Sequence, residues 1–212
     1  DSTASAALKK KDGNYNNIQF DYSFLYDKRD QSFRPTDGYY SRFNQTLPML
    51  SNDYSIENTY DFKTYQKLSE NTISSISLHL SAINSLEGSD VRVSDRIFLS
   101  SRKLRGFESG KIGPKDNLDF IGGNYASSIS LSTTLPTVLP ELESIDLSIF
   151  VDAGNVWGVD YDSSLDNSKI RSATGISLDW LTPIGPLNFV IAQPITKANS
   201  DIEETFRFDI GT

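Results

Sequence analysis

Apolar and polar side chains alternate with a period of two along most of the chain. In "YNNIQFDYSFLYDKRD", Ile18, Phe20, Tyr22, Phe24 and Tyr26 share one parity, and Asn17, Gln19, Asp21 and Ser23 the other. Successive strand side chains point to opposite faces, so this spacing predicts a strand with one apolar and one polar face. Ile76, Leu78, Leu80 and Ala82 against Ser75, Ser77, His79 and Ser81 repeat the pattern. Ile176, Leu178 and Trp180 against Gly175, Ser177 and Asp179 do the same. Ile145, Leu147, Ile149 and Val151 oppose Ser144, Asp146, Ser148 and Asp152, with Phe150 the one exception. At the end of the chain Phe206, Phe208 and Ile210 oppose Thr205, Arg207 and Asp209, with Glu204 out of pattern.

Nine strands follow, near residues 15–27, 38–48, 55–67, 73–83, 122–135, 143–154, 170–182, 186–195 and 203–212. The second and third alternate only in part. No segment carries the i, i+3, i+4, i+7 stripe of an amphipathic helix.

The connections sharpen this picture. The longest, from Asn84 to Ile121 and the polar "WGVDYDSSLDNSKI", follow the fourth and sixth strands and fall on one side of the sheet. The tight "TPIGP" turn falls on the other. Long loops at one end and short turns at the other characterise transmembrane β-barrels. No apolar run reaches the roughly 18 residues of a membrane helix. Tyr15, Tyr26, Tyr39, Tyr54, Trp157 and Trp180 lie near strand ends, as in an interfacial girdle. Parity does not say which face is inside. A soluble β-sandwich or extracellular barrel with its apolar face inward therefore stays open beside the membrane barrel.

Composition narrows the chemistry. The 212 residues carry a net charge of −8, which speaks against a nucleic-acid partner or a polybasic membrane-surface protein. There is no cysteine, so disulfides and thiolate metal sites are excluded. His79, the only histidine, falls among serines on the polar face and is expected to be hydrogen-bonded there. Asp160 to Asp166, "DYDSSLD", lacks the glycine and terminal Glu of an EF-hand and is expected to be a solvated loop. "GFESGKI" has three residues between its glycines where a phosphate loop needs four. No nucleophile–base set emerges, so a non-enzymatic protein without metal or cofactor is expected. The start at Asp1, inside a polar stretch, suggests a processed protein or an excised fragment.

Six motifs add a family resemblance over residues 27–212. "LRGFESG" resembles the Val-Arg-Gly-Phe loop motif of the BamA family of outer-membrane assembly proteins, within the bacterial surface antigen family. "DKRDQSFRPTDGYY" is similar to its Arg-Asp…Pro-Thr-x-Gly turn, "FIGGNYASSISL" to its Gly-Gly-Asn strand and "FVDAGNVWG" to its Asp-Ala-Gly-x-x-Trp strand end. "GISLDWLTPIGPLNFVIAQPI" resembles the penultimate hairpin and "FRFDIGT" the closing strand. The Thr-Pro-x-Gly-Pro-Leu hairpin is closer to the assembly proteins than to their secretion-transporter cousins.

The resemblance implies an all-β, antiparallel transmembrane barrel of sixteen strands that inserts other barrels into the bacterial cell outer membrane. Residues 1–212 would be its C-terminal portion, about nine strands, with a long inserted loop near 85–120. The odd strand count, which would put the two chain ends on opposite sides, suggests an incomplete barrel, and the stop at Thr212, short of the family's terminal Phe or Trp, a truncated closing signal. Implied partners are outer-membrane lipids, nascent β-barrel substrates and assembly lipoproteins.

The loop motif Leu104, Arg105, Gly106 and Phe107 would fold into the lumen. There Arg105 would meet Asp152, which the alternation also puts on the polar face. The family's second acid on the strand after the loop is replaced by Ser132, leaving Asp146 and Asp179 as spare carboxylates. The closing strand, with Phe206, Phe208 and Gly211, would pair weakly with the first strand and open sideways, the glycine allowing a kink. A passive pore or surface-binding barrel with the same architecture is the alternative.

Overall fold

The computed structural model describes residues 16–51, 54–135, 144–183 and 185–211. In chain order the strands are β1 (Ile18–Asp27), β2 (Gly38–Leu50), β3 (Ser55–Ser69) and β4 (Thr72–Ser85). Three two-residue strands follow in the long connection: β5 (Gly106–Phe107), β6 (Lys115–Asp116) and β7 (Asp119–Phe120). Then come β8 (Tyr125–Thr134), β9 (Ile145–Trp157), β10 (Arg171–Thr182), β11 (Gly185–Thr196), β12 (Glu203–Glu204) and β13 (Phe206–Ile210).

Nine of these form one sheet in the order β1-β2-β3-β4-β8-β9-β10-β11-β13. Every neighbouring pair is antiparallel. The expected nine strands are therefore present, with one correction: the last, read as 203–212, is two. Glu203–Glu204 leaves the sheet, and only Phe206–Ile210 pairs with β11.

Register aligns side chains of one parity into rows. Ile149, Ile176, Ile191 and Phe206 are successive partners across β9, β10, β11 and β13, and all four are exposed. Ser130, Asp152 and Ala173 form a row of the opposite parity, and Asp152 and Ala173 are buried. β-branched and aromatic residues fill the first kind of row, as strand propensity favours.

What buries the polar face is the connection between β4 and β8. Its Val91, Ile97, Leu99, Leu104, Phe107 and Ile112 pack with Ile83, Ala126, Val156 and Ala173 of the wall in one core cluster. The apolar parity thus points away from the core. The sheet closes on a loop, and its own alternating stripe is left facing outward. A soluble sandwich would bury that stripe, so the parity question is answered in favour of a barrel wall.

The ends of the sheet differ. The loop end carries the connections after β4, β9 and β11; the opposite end carries the short link between Thr182 of β10 and Gly185 of β11 and the link between β1 and β2. Exposed Tyr26, Tyr39 and Trp180 mark the second end, and Trp157, its ring 5.9 Å from that of Tyr125, marks the first. Tyr15 lies outside the described residues.

Candidate functional site

The loop motif sits on the concave face against β8, β9 and β10. Arg105 approaches β9 with its side chain extended. Its Nε donates to Oδ2 of Asp152 at 2.7 Å and its Nη2 to Oδ1 at 2.7 Å, while its backbone N–H donates to Oδ2 at 3.0 Å. This is a bidentate, charge-assisted pair, matched to the planar fork of the guanidinium. Asp152 is 1% exposed. The three donors offset the cost of burying a carboxylate that deep.

The second contact of Arg105 is neutral. Nη2 donates to Oγ of Ser130 at 2.8 Å. Ser130 is the cross-strand partner of Asp152. Ser132, the position expected from the resemblance, instead donates to the Ile149 carbonyl at 3.4 Å. Asp146 and Asp179 are not held in reserve for Arg105 either. Asp146 accepts from Arg34 of the β1–β2 connection, and Asp179 accepts from Asn188 at 2.6 Å.

A third contact was not expected at all. The guanidinium carbon of Arg105 lies 3.4 Å from the ring centre of Phe150. Phe150 is buried with Val190 and Ala192. Its ring needs the space beside Gly175, where a Cβ would lie 2.8 Å from Phe150 Cζ and 2.1 Å from the Ile191 carbonyl oxygen. The aromatic face and the carboxylate thus hold the cation together.

The rest of the motif follows the same close approach. Gly106 has φ +92°, and a Cβ there would meet Ala173 Cβ at 2.9 Å and Ala192 Cβ at 3.4 Å. Only a glycine lets the backbone lie against those two alanines. Leu104 and Phe107 are both buried in the core cluster. Two residues earlier, Lys103 pairs with Asp61 of β3, which His79 Nδ1 also meets at 2.9 Å. His79 therefore lies on the concave face with a hydrogen-bond partner.

The outer rim of the loop is tied by acids. Asp160 accepts from Arg96, from the Val91 N–H at 2.7 Å and from Asn124 Nδ2 at 3.1 Å. Asp166 accepts from the Gly158 N–H at 2.7 Å, and Asp162 from the Ser164 N–H at 2.9 Å. The three carboxylates of "DYDSSLD" have separate tasks, and no metal-binding group of three His, Asp or Glu occurs among the described residues. Burial, with Asp116 close by, pushes the Tyr161 phenol up to about 12.

Below the loop remains a cavity of about 1040 Å³, lined mostly by polar wall residues such as Ser75, Ser77, Ser128 and Asn188. At the sheet edge, Phe206 and Phe208 of β13 are exposed on the convex face, and the Phe208 ring lies 4.8 Å from that of Phe189. Gly211 has φ +85°, and its N–H donates to the Pro186 carbonyl at 2.9 Å.

The Omp85 superfamily domain matches residues 1–212, the whole chain. The chain belongs to the Omp85 superfamily.

Among Omp85 relatives, the outer membrane protein assembly factor BamA of Neorickettsia risticii is 29% identical over 89% of the chain and 26% of its own length. A SAM50-like protein of Schizosaccharomyces pombe is 31% identical over 94% of the chain and 45% of its own length. The crystal structure of BamA from Haemophilus ducreyi lacking POTRA domains 1–3 superimposes with a TM-score of 0.82 at 28% identity. That match covers 90% of this chain and 41% of the other. The chain thus spans less than half the length of the relatives it matches. It is part of an antiparallel transmembrane β-barrel, with exposed apolar rows on its convex face.

Sequence reasoning missed three residues of this site. Phe150 and Glu204 left a trace, since each breaks the alternation where the loop touches the wall. Ser130 left none, because serine recurs along that entire face.

Proposed function

We propose that the protein containing this chain folds and inserts β-barrel proteins into a bacterial outer membrane, without enzymatic chemistry. The observation that carries this reading is the closing edge. β13 pairs with β11 over five residues, Phe206–Ile210, although β11 has twelve. A short strand at a sheet edge leaves unpaired N–H and C=O groups, which template an incoming strand by β-augmentation. Its partner in a full barrel would be the first strand, and the seam between them would open sideways to admit a nascent strand. The name of the Neorickettsia relative, an assembly factor, supports the same reading.

The loop plug argues against a passive pore, because the core cluster around Leu104 and Phe107 occupies the outer part of the lumen. Substrates would be unfolded β-barrel proteins, with lipids around the wall and assembly lipoproteins as further partners. Depleting the parent protein should stop other barrels from accumulating in the outer membrane. Normal barrel levels after depletion would leave the passive pore or surface-binding barrel.

A further inference from the structure

The connection between β11 and β13 is bound both to the inserted loop and to the wall. β12 pairs with β5, placing Glu203 opposite Phe107 and Glu204 opposite Gly106. The Glu108 N–H donates to the Ile202 carbonyl at 3.0 Å, and the Ile202 N–H donates to the Lys111 carbonyl at 3.1 Å. Three residues of the connection, Ile202, Glu203 and Glu204, therefore share backbone contacts with the loop that carries Arg105.

A buried ion pair anchors the same connection to the wall. Nε and Nη2 of Arg171 each donate to Asp201 at 2.9 Å, and both side chains are 0% exposed. Arg171 Nη1 donates to Asn155 Oδ1 at 2.5 Å and to the Lys169 carbonyl at 2.9 Å. Asp201 also accepts from the Ala198 N–H at 2.6 Å. Both charges are fully used, and removing either leaves the other buried without its partner.

The opposite end of β13 has little comparable support. Phe206, Phe208 and Ile210 are exposed, and past the ladder the Gly211 N–H donates to the Pro186 carbonyl at 2.9 Å. On the concave side Asp209 accepts from Arg207 Nε at 2.7 Å, and Arg102 of the loop lies 3.6 Å away. Arg102 is exposed, so that contact is weak.

We propose that residues 197–205 are a clamp coupling the seated loop to the closing strand. With Arg105 on Asp152, the clamp fixes β13 at the loop end, and the strand leaves β11 from its Ile210 end. This deepens the seam reading above and rests on it. The coupling is reciprocal, as any equilibrium coupling between two contacts must be. Unseating the loop frees the clamp, and freeing the clamp loosens the loop.

Hydrogen exchange of the full-length protein in lipid vesicles tests this. In the unaltered protein, residues 104–111 and 201–205 should exchange slowly, and 208–211 fastest within the closing segment. Asp201→Asn and Arg105→Ala should each speed exchange about tenfold or more in both of the first two segments, with the interior of β8–β10 unchanged. Should Asp201→Asn fail to fold, Ile202→Pro removes the single donor to Lys111 at an exposed side chain and carries the same expectation. Loosening confined to one segment, or exchange of β13 beginning at Phe206, overturns the clamp. No substrate enters the measurement. Coupled exchange in a protein that inserts nothing would therefore contradict the proposed function and leave the clamp standing.

Discussion

Arg105 stacks on Phe150, its guanidinium carbon 3.4 Å from the ring centre, and Phe150 is the one inward-facing aromatic of β9. The cation is held by a ring as well as by a carboxylate. Phe150→Leu keeps most of the buried volume and removes the ring, so it should loosen the loop by about 0.5–2 kcal/mol. Phe150→Ala should cost about 3–5 kcal/mol, because it also leaves a cavity. Gly175→Val should be worse tolerated than Phe150→Leu, since its Cβ would collide with the Ile191 carbonyl. Urea unfolding of the protein in vesicles ranks the three.

Arg105 and Asp152 act as one contact. Either Arg105→Ala or Asp152→Asn should destabilise the seated loop by about 3–5 kcal/mol. The double variant should be little worse than either single one, with a coupling energy of about 0.5–3 kcal/mol in the cycle. Strictly additive effects would show that the two side chains work independently.

Ser130 is placed to accept a second acid. Its Oγ is 2.8 Å from Arg105 Nη2. Ser130→Asp should restore most of the loop protection lost in Asp152→Asn, measured by protease cleavage of residues 86–124. Ser132→Glu should restore it less, because the serine that Arg105 bonds is Ser130 and the Ser132 hydroxyl is directed to the Ile149 carbonyl.

The convex rows are expected to face lipid. Ile149→Arg should cost about 2–4 kcal/mol if it lies near the membrane midplane. Spin-label accessibility at Ile149 should report hydrocarbon. A water-exposed label there would contradict the facing of the whole wall.

Tyr161 gives a pH signature outside the membrane. Its phenol ionises at about 12 in the fold, against 10.0 for the free side chain. Between these values the folded state holds the proton that the unfolded state has lost. Stability is therefore undiminished below pH 10 and falls as the pH rises toward 12. Tyr161→Phe should flatten that fall, and ultraviolet titration should show one late-ionising tyrosine fewer.

The wall was legible because each strand faces two media, and two media impose a period of two. Even the breaks were informative. Phe150 and Glu204 leave the pattern where the loop meets the sheet, one to stack on Arg105 and the other to pair with Gly106. Which parity faced inward was not legible, since burial of the polar face depends on a loop whose apolar residues show no periodicity. The ionic anchors were hidden for a different reason. Arg34 and Asp146 are separated by 112 positions, and Arg171 and Asp201 by 30, so no local pattern joins them. The Arg105–Asp152 pair, 47 positions apart, was expected only through the family motif.

Insertion by the reconstituted parent protein tests the central claim most directly. Lipid vesicles containing the full-length protein are mixed with a urea-unfolded β-barrel, and the protease-resistant, membrane-inserted fraction is followed with time. The account predicts faster insertion than into empty vesicles, with the gain lost in Asp152→Asn and regained in Asp152→Asn combined with Ser130→Asp. Equal rates with and without the protein would contradict it.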